Sequence, residues 1–298
     1  MDIFDLIGET RLVDLTRLAS PYGAKVMAKA EFLNPSGSVK DRAAKAMILE
    51  GLRSGALGEE KTILDATSGN TGISLAMIGA SISRKVTLHI PSNANRERKA
   101  LIAAYGGQIV ETDPLESADG AFYSAQAAYQ ADPERYFFPN QYNNPANPRA
   151  HYETTGPEIW HQTEAKVTHF ICSVGTGGTF VGVSRRLKEF NPKIKTIVVQ
   201  PDSPFHGIEG TKHLASTLKG TIIDQSFMEE EEKVSTEEAQ AMAVRLSKEA
   251  GLLTGLSSGA NVTAALKVAA KLPKEALVVT ILGDSGTRYL SDNLWRSI

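Results

Sequence analysis

Short apolar runs alternate along the chain with longer, Ala-rich amphipathic stretches. The apolar runs are rich in β-branched residues and lead into turns with Gly, Ser or Asn, which predicts strands, while the amphipathic stretches predict helices. Strands are predicted over 26–31, 62–66, 85–90, 107–111, 167–173, 194–200 and 276–282. Helices are predicted over 39–54, 70–83, 95–105, 116–131, 150–162, 178–190, 235–250, 258–271 and 287–295. This alternation indicates an α/β fold with parallel sheets covered by helices.

Local patterns add detail to this outline. The last three predicted strands are apolar on both faces, as expected for buried parallel strands. Ser235, followed three residues later by Glu238, predicts a capping box at the start of a helix. The acidic run Glu229–Glu232 is read as a solvated loop before that helix rather than as a binding patch. Asn and Pro cluster near residues 140–150, which predicts a domain boundary there.

Composition and charge restrict the kinds of protein that this chain can be. The 298 residues are enough for about two domains or one large α/β unit. Lys and Arg number 32 and Asp and Glu number 34, so the formal net charge of −2 disfavours a nucleic-acid partner. No apolar run is long enough for a membrane helix, and the N-terminal segment lacks the features of a secretory signal. A cytoplasmic enzyme is therefore expected.

The cysteine and histidine content argues against a metal centre. Cys172 is the only cysteine, which excludes an intramolecular disulfide and a cysteine-based metal cluster. The histidines are dispersed and none falls in an H-E-x-x-H spacing. No metal site is predicted.

A lysine at a predicted helix start is the first candidate for chemistry. Small, turn-forming residues from Asn34 onward lead into the helix and place Lys40 in its first turn. A cation there is disfavoured by about 0.3–1 kcal/mol, because a helix N-terminus carries partial positive charge. The same position would lower the pKa of the amine, which suits a lysine that must be neutral to attack a carbonyl. A surface lysine within a charged helix start is the alternative.

Two loops between a strand and a helix predict anion binding. In residues 67–72 (TSGNTG), hydroxyls, an amide and backbone N–H groups converge at a helix N-terminus, which suits a carboxylate or phosphate. In residues 175–179 (GTGGT), three glycines let the backbone approach a phosphate closely. The second loop lacks the P-loop lysine and does not fit G-x-G-x-x-G, so neither of those nucleotide sites is predicted. An ordinary helix cap and a tight turn without ligand are the alternatives.

Two further loops complete the set. Residues 255–261 precede a helix and, taken alone, predict only a helix cap. Asp284 follows the last apolar strand, at the strand end where ligands bind in parallel sheets. The alternative is that Asp284 caps the helix predicted over 287–295.

A lysine, a phosphate-cradling loop and an anion loop together suggest pyridoxal phosphate. Five motifs occur in order: NPSGSVKDR, TSGNTG, NPANP with TTGPEIW, GTGGT and SSGA. In these motifs the chain resembles, nearly end to end, the cysteine synthase/cystathionine β-synthase family of fold-type II pyridoxal phosphate enzymes. The resemblance implies two parallel-sheet, three-layer domains of the tryptophan synthase β-like architecture, with the cofactor in the cleft between them. We expect a smaller mobile domain, 36–142, with the carboxylate loop, and a larger domain, 1–35 plus 143–298, with the phosphate loop.

The resemblance also assigns roles to residues of this chain. Lys40 matches the Schiff-base lysine, which is also the base that moves the substrate Cα proton. The cofactor 5′-phosphate is assigned to Gly175, Thr176, Gly177, Gly178 and Thr179, and the cofactor 3′-oxygen to Asn70. The substrate carboxylate is assigned to Thr67, Ser68, Gly69, Thr71 and Gln141. Asp284 occupies the pyridine-nitrogen position, where many members have Ser, and its neighbourhood GDSGTRYLS is similar to B-type cysteine synthases.

The activity implied is that of a transferase of cysteine biosynthesis. It would make L-cysteine from O-acetyl-L-serine and sulfide by β-replacement through an aminoacrylate. One alternative takes O-phosphoserine, with sulfide, thiosulfate or a sulfur-carrier thiocarboxylate as donor, and another condenses serine with homocysteine as cystathionine β-synthase does. A non-catalytic binding protein is disfavoured by the presence of Lys40, and a nicotinamide dehydrogenase by the missing G-x-G-x-x-G.

The segment Pro204–His213 matches the loop that lines the substrate entrance in this family. An enzyme that takes O-phosphoserine must neutralise the phosphate, usually with Arg or Lys. Lys212 and two histidines offer positive charge here, Glu209 opposes it, and a solvated surface lysine is the alternative, so O-acetylserine is favoured. The resemblance also implies a homodimer and leaves open a complex with serine acetyltransferase or a sulfur-carrier protein.

Overall fold

The computed structural model describes residues 2–19, 23–67, 69–216, 220, 222–292 and 295. In this part of the chain the strands are β1 Leu12–Asp14, β2 Lys25–Ala30, β3 Thr62–Ala66, β4 Val86–Pro91, β5 Gln108–Thr112, β6 Tyr136–Phe137, β7 His169–Ser173, β8 Lys195–Pro201, β9 Glu230–Val234 and β10 Leu277–Leu282. The helices are α1 Lys40–Arg53, α2 Asn70–Ser81, α3 Arg96–Ala104, α4 Ser117–Ala131, α5 Ala146–Ala150, α6 Gly156–Gln162, α7 Gly178–Phe190, α8 Thr236–Ala250 and α9 Leu256–Ala269. None of the described helices is both long and apolar enough to cross a membrane.

The strands form two sheets. The larger has the order β1-β2-β10-β7-β8-β9, in which β1 is antiparallel to β2 and all other pairs are parallel. The smaller has the order β5-β4-β3-β6 and is entirely parallel. Apolar clusters cover both faces of the larger sheet, and β10 is buried along its whole length. This confirms the predicted α/β fold with buried parallel strands.

The predicted strands are all present, each within two residues of its expected limits. Three strands were not predicted, namely β1, β6 and β9, and β9 corrects the loop expected over Glu229–Glu232. Three of these glutamates, Glu230–Glu232, lie in an edge strand that pairs with β8 only. Glu229 directly precedes the strand, and its carboxylate lies 2.8 Å from the Lys188 amine. Charged side chains are a common feature of edge strands, because they oppose pairing with another chain.

Two helix predictions also need correction. The predicted helix 150–162 begins earlier, at Ala146, and contains a π-helical turn, His151–Thr155, between α5 and α6. In place of the α-helix predicted over 287–295, the described residues form a 3₁₀ turn, Gly286–Tyr289, and Trp295 is also 3₁₀-helical, while residues 293 and 294 lie outside the described residues. The physical reason is that Arg288 and Tyr289 are drawn into the interior, where both are buried and hydrogen-bonded.

The loops singled out in the sequence follow the carboxyl ends of parallel strands. Residues 67–69 follow β3 and lead into α2, and residues 174–177 follow β7 and lead into α7. Residues 283–285 follow β10 and lead into the 3₁₀ turn. Ligands bind at this end of parallel sheets, so the topology gathers the candidate residues at one place.

Candidate active site

An open cleft brings most of the candidate loops together. Its walls include Lys40, Asn70, the whole loop 175–179, Ser257 and Gly283. A concave cleft in which a few polar groups converge is typical of small-molecule sites. The residues for which the sequence most strongly predicts chemistry or ligand binding thus line one cleft, although they come from distant parts of the chain.

Lys40 is held at the first turn of α1 by the residue that follows it. The fully buried carboxylate of Asp41 accepts the backbone N–H of Ser36 at 2.7 Å and the hydroxyl of Ser74 at 2.5 Å. This ties the turn before Lys40 to α2. The Lys40 amine faces the phosphate loop, since a Cβ built on Gly175 would lie 3.9 Å from its Nζ. Burial lowers the pKa of Lys40, whereas the sequence had attributed such a lowering to the helix N-terminus.

The loop 175–179 has the backbone of an anion cradle. Gly177 has a φ of +96°, in the region that favours glycine, and α7 begins directly after it. A Cβ on Gly178 would collide with the side-chain amide of Asn147, which itself donates to Thr176 Oγ at 3.0 Å. The N-terminus of a 13-residue helix therefore lies at the cleft wall, where its backbone N–H groups and the Thr176 hydroxyl can bind an anion.

The residues assigned to the substrate carboxylate form one cluster at the start of α2. Thr67 Oγ accepts the backbone N–H of Gly69 at 2.9 Å. Thr71 donates its hydroxyl to Gln141 Oε1 at 2.7 Å, and Gln141 Nε2 donates to Ala66 O at 2.8 Å. Ser68 lies outside the described residues. The structure thus brings Thr67, Gly69, Thr71 and Gln141 together beside Asn70, although only Asn70 of this region is in the cleft wall.

Asp284 lies behind the cleft wall. It is 1% exposed, and its Oδ2 accepts Asn70 Nδ2 at 2.7 Å and the Tyr289 hydroxyl at 2.6 Å. Ser257 does line the cleft, next to Gly283, although the sequence predicts only a helix cap there. The available signal was that residues 255–261 precede a helix in the same way as the two anion loops.

The entrance loop carries charges of both signs. Lys212 is half-buried, and its Nζ lies 4.5 Å from the centre of the Tyr142 ring, so it is not the solvated lysine of the alternative reading. Burial lowers the pKa of Lys212. Glu209 lines the cleft and forms an ion pair with Arg98 of α3. Lys212 therefore contacts Tyr142, the residue that follows Gln141 in the chain.

The groups that face the cleft fit pyridoxal phosphate. The cofactor has an aldehyde, which needs an amine such as Lys40, and a phosphate, which the loop 175–179 can hold without a cation. Its 3′-oxygen needs a donor such as the Asn70 amide. In the described part of the chain, no group of three or more His, Cys, Asp or Glu side chains converges as a metal site would need.

Comparison with known proteins gives the same answer. The family model described as pyridoxal-phosphate dependent enzyme matches residues 3–284. A cysteine synthase of Aquifex aeolicus is 45% identical over 98% of this chain and 91% of its own. Cysteine synthase B of Salmonella typhimurium is 39% identical over 97% of this chain and 94% of its own.

A solved structure extends the similarity to the whole fold. The O-acetylserine dependent cystathionine beta-synthase of Helicobacter pylori has a TM-score of 0.93 and 34% identity over 99% of this chain and 98% of its own. This confirms the fold-type II architecture expected from the sequence. The chain belongs to the family of pyridoxal-phosphate-dependent enzymes, whose cofactor is the one that the groups in the cleft fit.

Proposed function

We propose that the protein makes L-cysteine from O-acetyl-L-serine and sulfide by β-replacement. The observation that carries this proposal is the cleft in which the Lys40 amine, the Asn70 amide and the loop 175–179 meet. Cysteine synthases 39–45% identical to the chain support the same activity. The similar Helicobacter pylori structure is described as dependent on O-acetylserine, which supports the acetylated donor.

The cofactor would be held by Lys40, Asn70 and the loop 175–179 and, beside the ring, by Ser257 on the cleft wall or Asp284 behind it. Bound pyridoxal phosphate would supply an electron sink for negative charge at the substrate Cα, which lets the β-substituent leave. The chain's own work is then binding and proton transfer. The burial that lowers the pKa of Lys40 increases its neutral fraction, which is the form that accepts a proton from Cα.

The cluster of Thr67, Thr71 and Gln141 is proposed to hold the substrate carboxylate. Thr67 accepts backbone N–H groups, which orders the loop, and Thr71 and Gln141 are locked to each other and to the end of β3. Residues 36–142 contain all strands of the smaller sheet, and we propose that this unit closes on the larger sheet when the carboxylate binds. Closure would exclude water from the reacting groups.

The test is turnover with matched donors and acceptors. O-acetylserine, O-phosphoserine and serine are each paired with sulfide, thiosulfate and homocysteine. We expect O-acetylserine with sulfide to give the highest kcat/KM. Preference for homocysteine as acceptor would instead identify a cystathionine-forming enzyme, the activity named for the similar Helicobacter pylori structure.

Lys40→Ala should reduce kcat by at least about a thousandfold, because the variant loses both the cofactor link and the base. Borohydride treatment of the parent should fix the cofactor to the peptide that contains Lys40. The matched control is Lys45→Ala on the same helix, whose amine donates to Phe4 O at 2.7 Å, away from the cleft. Label on a different lysine, or a Lys40→Ala variant as active as the control, would show that the assignment is wrong.

The oligomeric state and the protein partners are also proposed. We propose a homodimer, and a complex with serine acetyltransferase or a sulfur-carrier protein as the kind of partner to look for. Cytoplasmic location stays a prediction from the sequence.

A further inference from the structure

The side chain of Asn70 lies between a buried cation and a buried anion. Arg288 Nη1 donates to Asn70 Oδ1 at 2.5 Å. Asn70 Nδ2 donates to Asp284 Oδ2 at 2.7 Å. Arg288 is 2% exposed and Asp284 is 1% exposed, so water does not compete for these contacts.

These two neighbours leave the amide one orientation. A guanidinium can only donate hydrogen bonds, so the oxygen of Asn70 must face Arg288. Asp284 Oδ2 already accepts the Tyr289 hydroxyl at 2.6 Å, so the nitrogen of Asn70 must face Asp284. An amide nitrogen has two hydrogens, and Asp284 takes one of them. Because Asn70 lines the cleft, the second hydrogen is left for an acceptor there.

Arg288 also joins this arrangement to the turn that precedes Lys40. Its Nη2 donates to the backbone oxygen of Ser36, in the turn that Asp41 anchors. A Cβ on Gly37 would lie 3.2 Å from the same nitrogen. The Arg288 side chain therefore links Asn70, the first residue of α2, to the turn before Lys40, the first residue of α1.

We propose that Arg288 and Asp284 are positioning residues that fix the Asn70 amide as a donor to the 3′-oxygen of pyridoxal phosphate. The inference rests on the proposed function of the cleft and changes the role of Asp284 within it. Asp284 acts through Asn70, and the cofactor ring nitrogen is left to another group on the cleft wall. Burying a charge is costly unless it is paired or hydrogen-bonded. Here the two opposite charges, Arg288 and Asp284, both hydrogen-bond to the Asn70 amide.

The test measures cofactor binding rather than turnover. Parent and variants are stripped of cofactor and titrated with pyridoxal phosphate, and the Kd and the absorbance spectrum of the bound form are recorded. Arg288→Gln and Asp284→Asn can hydrogen-bond to either end of the amide, so each should raise the Kd about tenfold, the effect of losing one fixed hydrogen bond. Both should shift the spectrum in the same direction as Asn70→Ala. Arg288→Lys, which still only donates, should be closer to the parent.

Two controls separate positioning from folding and from direct contact. Thr287→Ala, on the exposed side of the same turn, should change neither Kd nor spectrum. In an Asn70→Ala background, Arg288→Gln and Asp284→Asn should have little additional effect, because the group that they position is gone.

Each contrary result has a clear meaning. If Asp284→Asn weakens binding equally with and without Asn70, Asp284 contacts the cofactor directly and the inference is wrong. If Arg288→Gln and Asp284→Asn both keep the parental Kd and spectrum while Asn70→Ala does not, the inference is also wrong. A parent chain that takes up no pyridoxal phosphate would overturn the proposed function itself.

Discussion

Asp65 is a buried carboxyl group two residues before the loop assigned to the substrate carboxylate. It is fully buried in β3, and its Oδ1 accepts the backbone N–H of Ala66 at 2.8 Å. Its Oδ2 has no hydrogen-bond partner among the described residues. Burial raises the pKa of Asp65 from 3.8 to about 7. Between the unfolded pKa of 3.8 and the native pKa of about 7, the native state therefore holds a proton that the unfolded chain has lost.

Asp65→Asn should stabilise the protein increasingly as the pH rises towards 7. Between the unfolded pKa and the native pKa, the native state binds one more proton, so the stability of the parent falls by about 1.4 kcal/mol per pH unit. Above pH 7 the difference between variant and parent should level off. Denaturant unfolding between pH 5 and pH 8.5 measures it, with the exposed Asp202→Asn as control. A difference that does not change with pH would contradict the prediction.

A substitution at Lys212 tests which leaving group the substrate carries. A charge-assisted contact with a phosphate is worth about 1.5–3 kcal/mol, so Lys212→Ala would cost O-phosphoserine roughly 10- to 150-fold in kcat/KM if this lysine binds it. We expect the parent to prefer O-acetylserine and the variant to keep that preference. The exposed Lys193→Ala is the control. A parent that prefers O-phosphoserine, with the preference lost in Lys212→Ala, would reverse the assignment of the donor.

Side chains were predictable from the sequence where their chemistry follows from residue type and local position. Lys40 at a helix start and the glycines before α7 are of this kind, and the structure gathers them in one cleft. Asn147 and Ser257 were missed, because Asn147 supports the loop 175–179 from a separate helix and Ser257 resembles an ordinary cap. The sequence also does not predict the hydrogen bonds of Asn70 to Arg288 and Asp284, since these two residues lie more than 200 positions away in the chain.

At the scale of elements, the capping box at the start of α8 is confirmed. Ser235 Oγ accepts the backbone N–H of Glu238 at 3.1 Å, and Glu238 Oε2 accepts that of Ser235 at 3.0 Å. Ser235→Ala should lower the free energy of unfolding by about 1 kcal/mol, because the backbone N–H of Glu238 loses its hydrogen-bond acceptor. Denaturant unfolding measures this, and turnover should not change. Ser235→Asp retains an accepting oxygen and should recover most of the loss.

The elements that escaped prediction are short or lack periodicity. β1 has three residues and β6 has two, too few for an alternating pattern to stand out. β9 is mostly charged, with the sequence EEEKV, and a charged edge strand cannot be told from a charged loop by composition. The turn 286–289 fails to extend as a helix because Arg288 and Tyr289 point inward, which is a tertiary effect.

At the scale of the whole molecule, the homodimer implied by the resemblance can be checked directly. Light scattering at micromolar concentration should give about twice the 32.1 kDa mass of one chain. The mass of a single chain across this range would exclude the dimer. The chain forms two sheets, and the strand order within them does not follow from any local pattern. In particular, nothing in the sequence shows that β2 and β10 are neighbours.

That neighbouring pair has a consequence for biosynthesis. The smaller sheet uses strands from a single stretch, 62–137, whereas β2 pairs with residues 277–282. About 250 residues separate the partners, and a ribosome working at roughly 5–20 residues per second needs roughly 12–50 s to make them. During that interval the nascent chain can complete one sheet while the other still exposes the backbone groups of β2. Because exposed strand edges can template aggregation, we expect this chain to be most prone to aggregation in the interval before β10 is made.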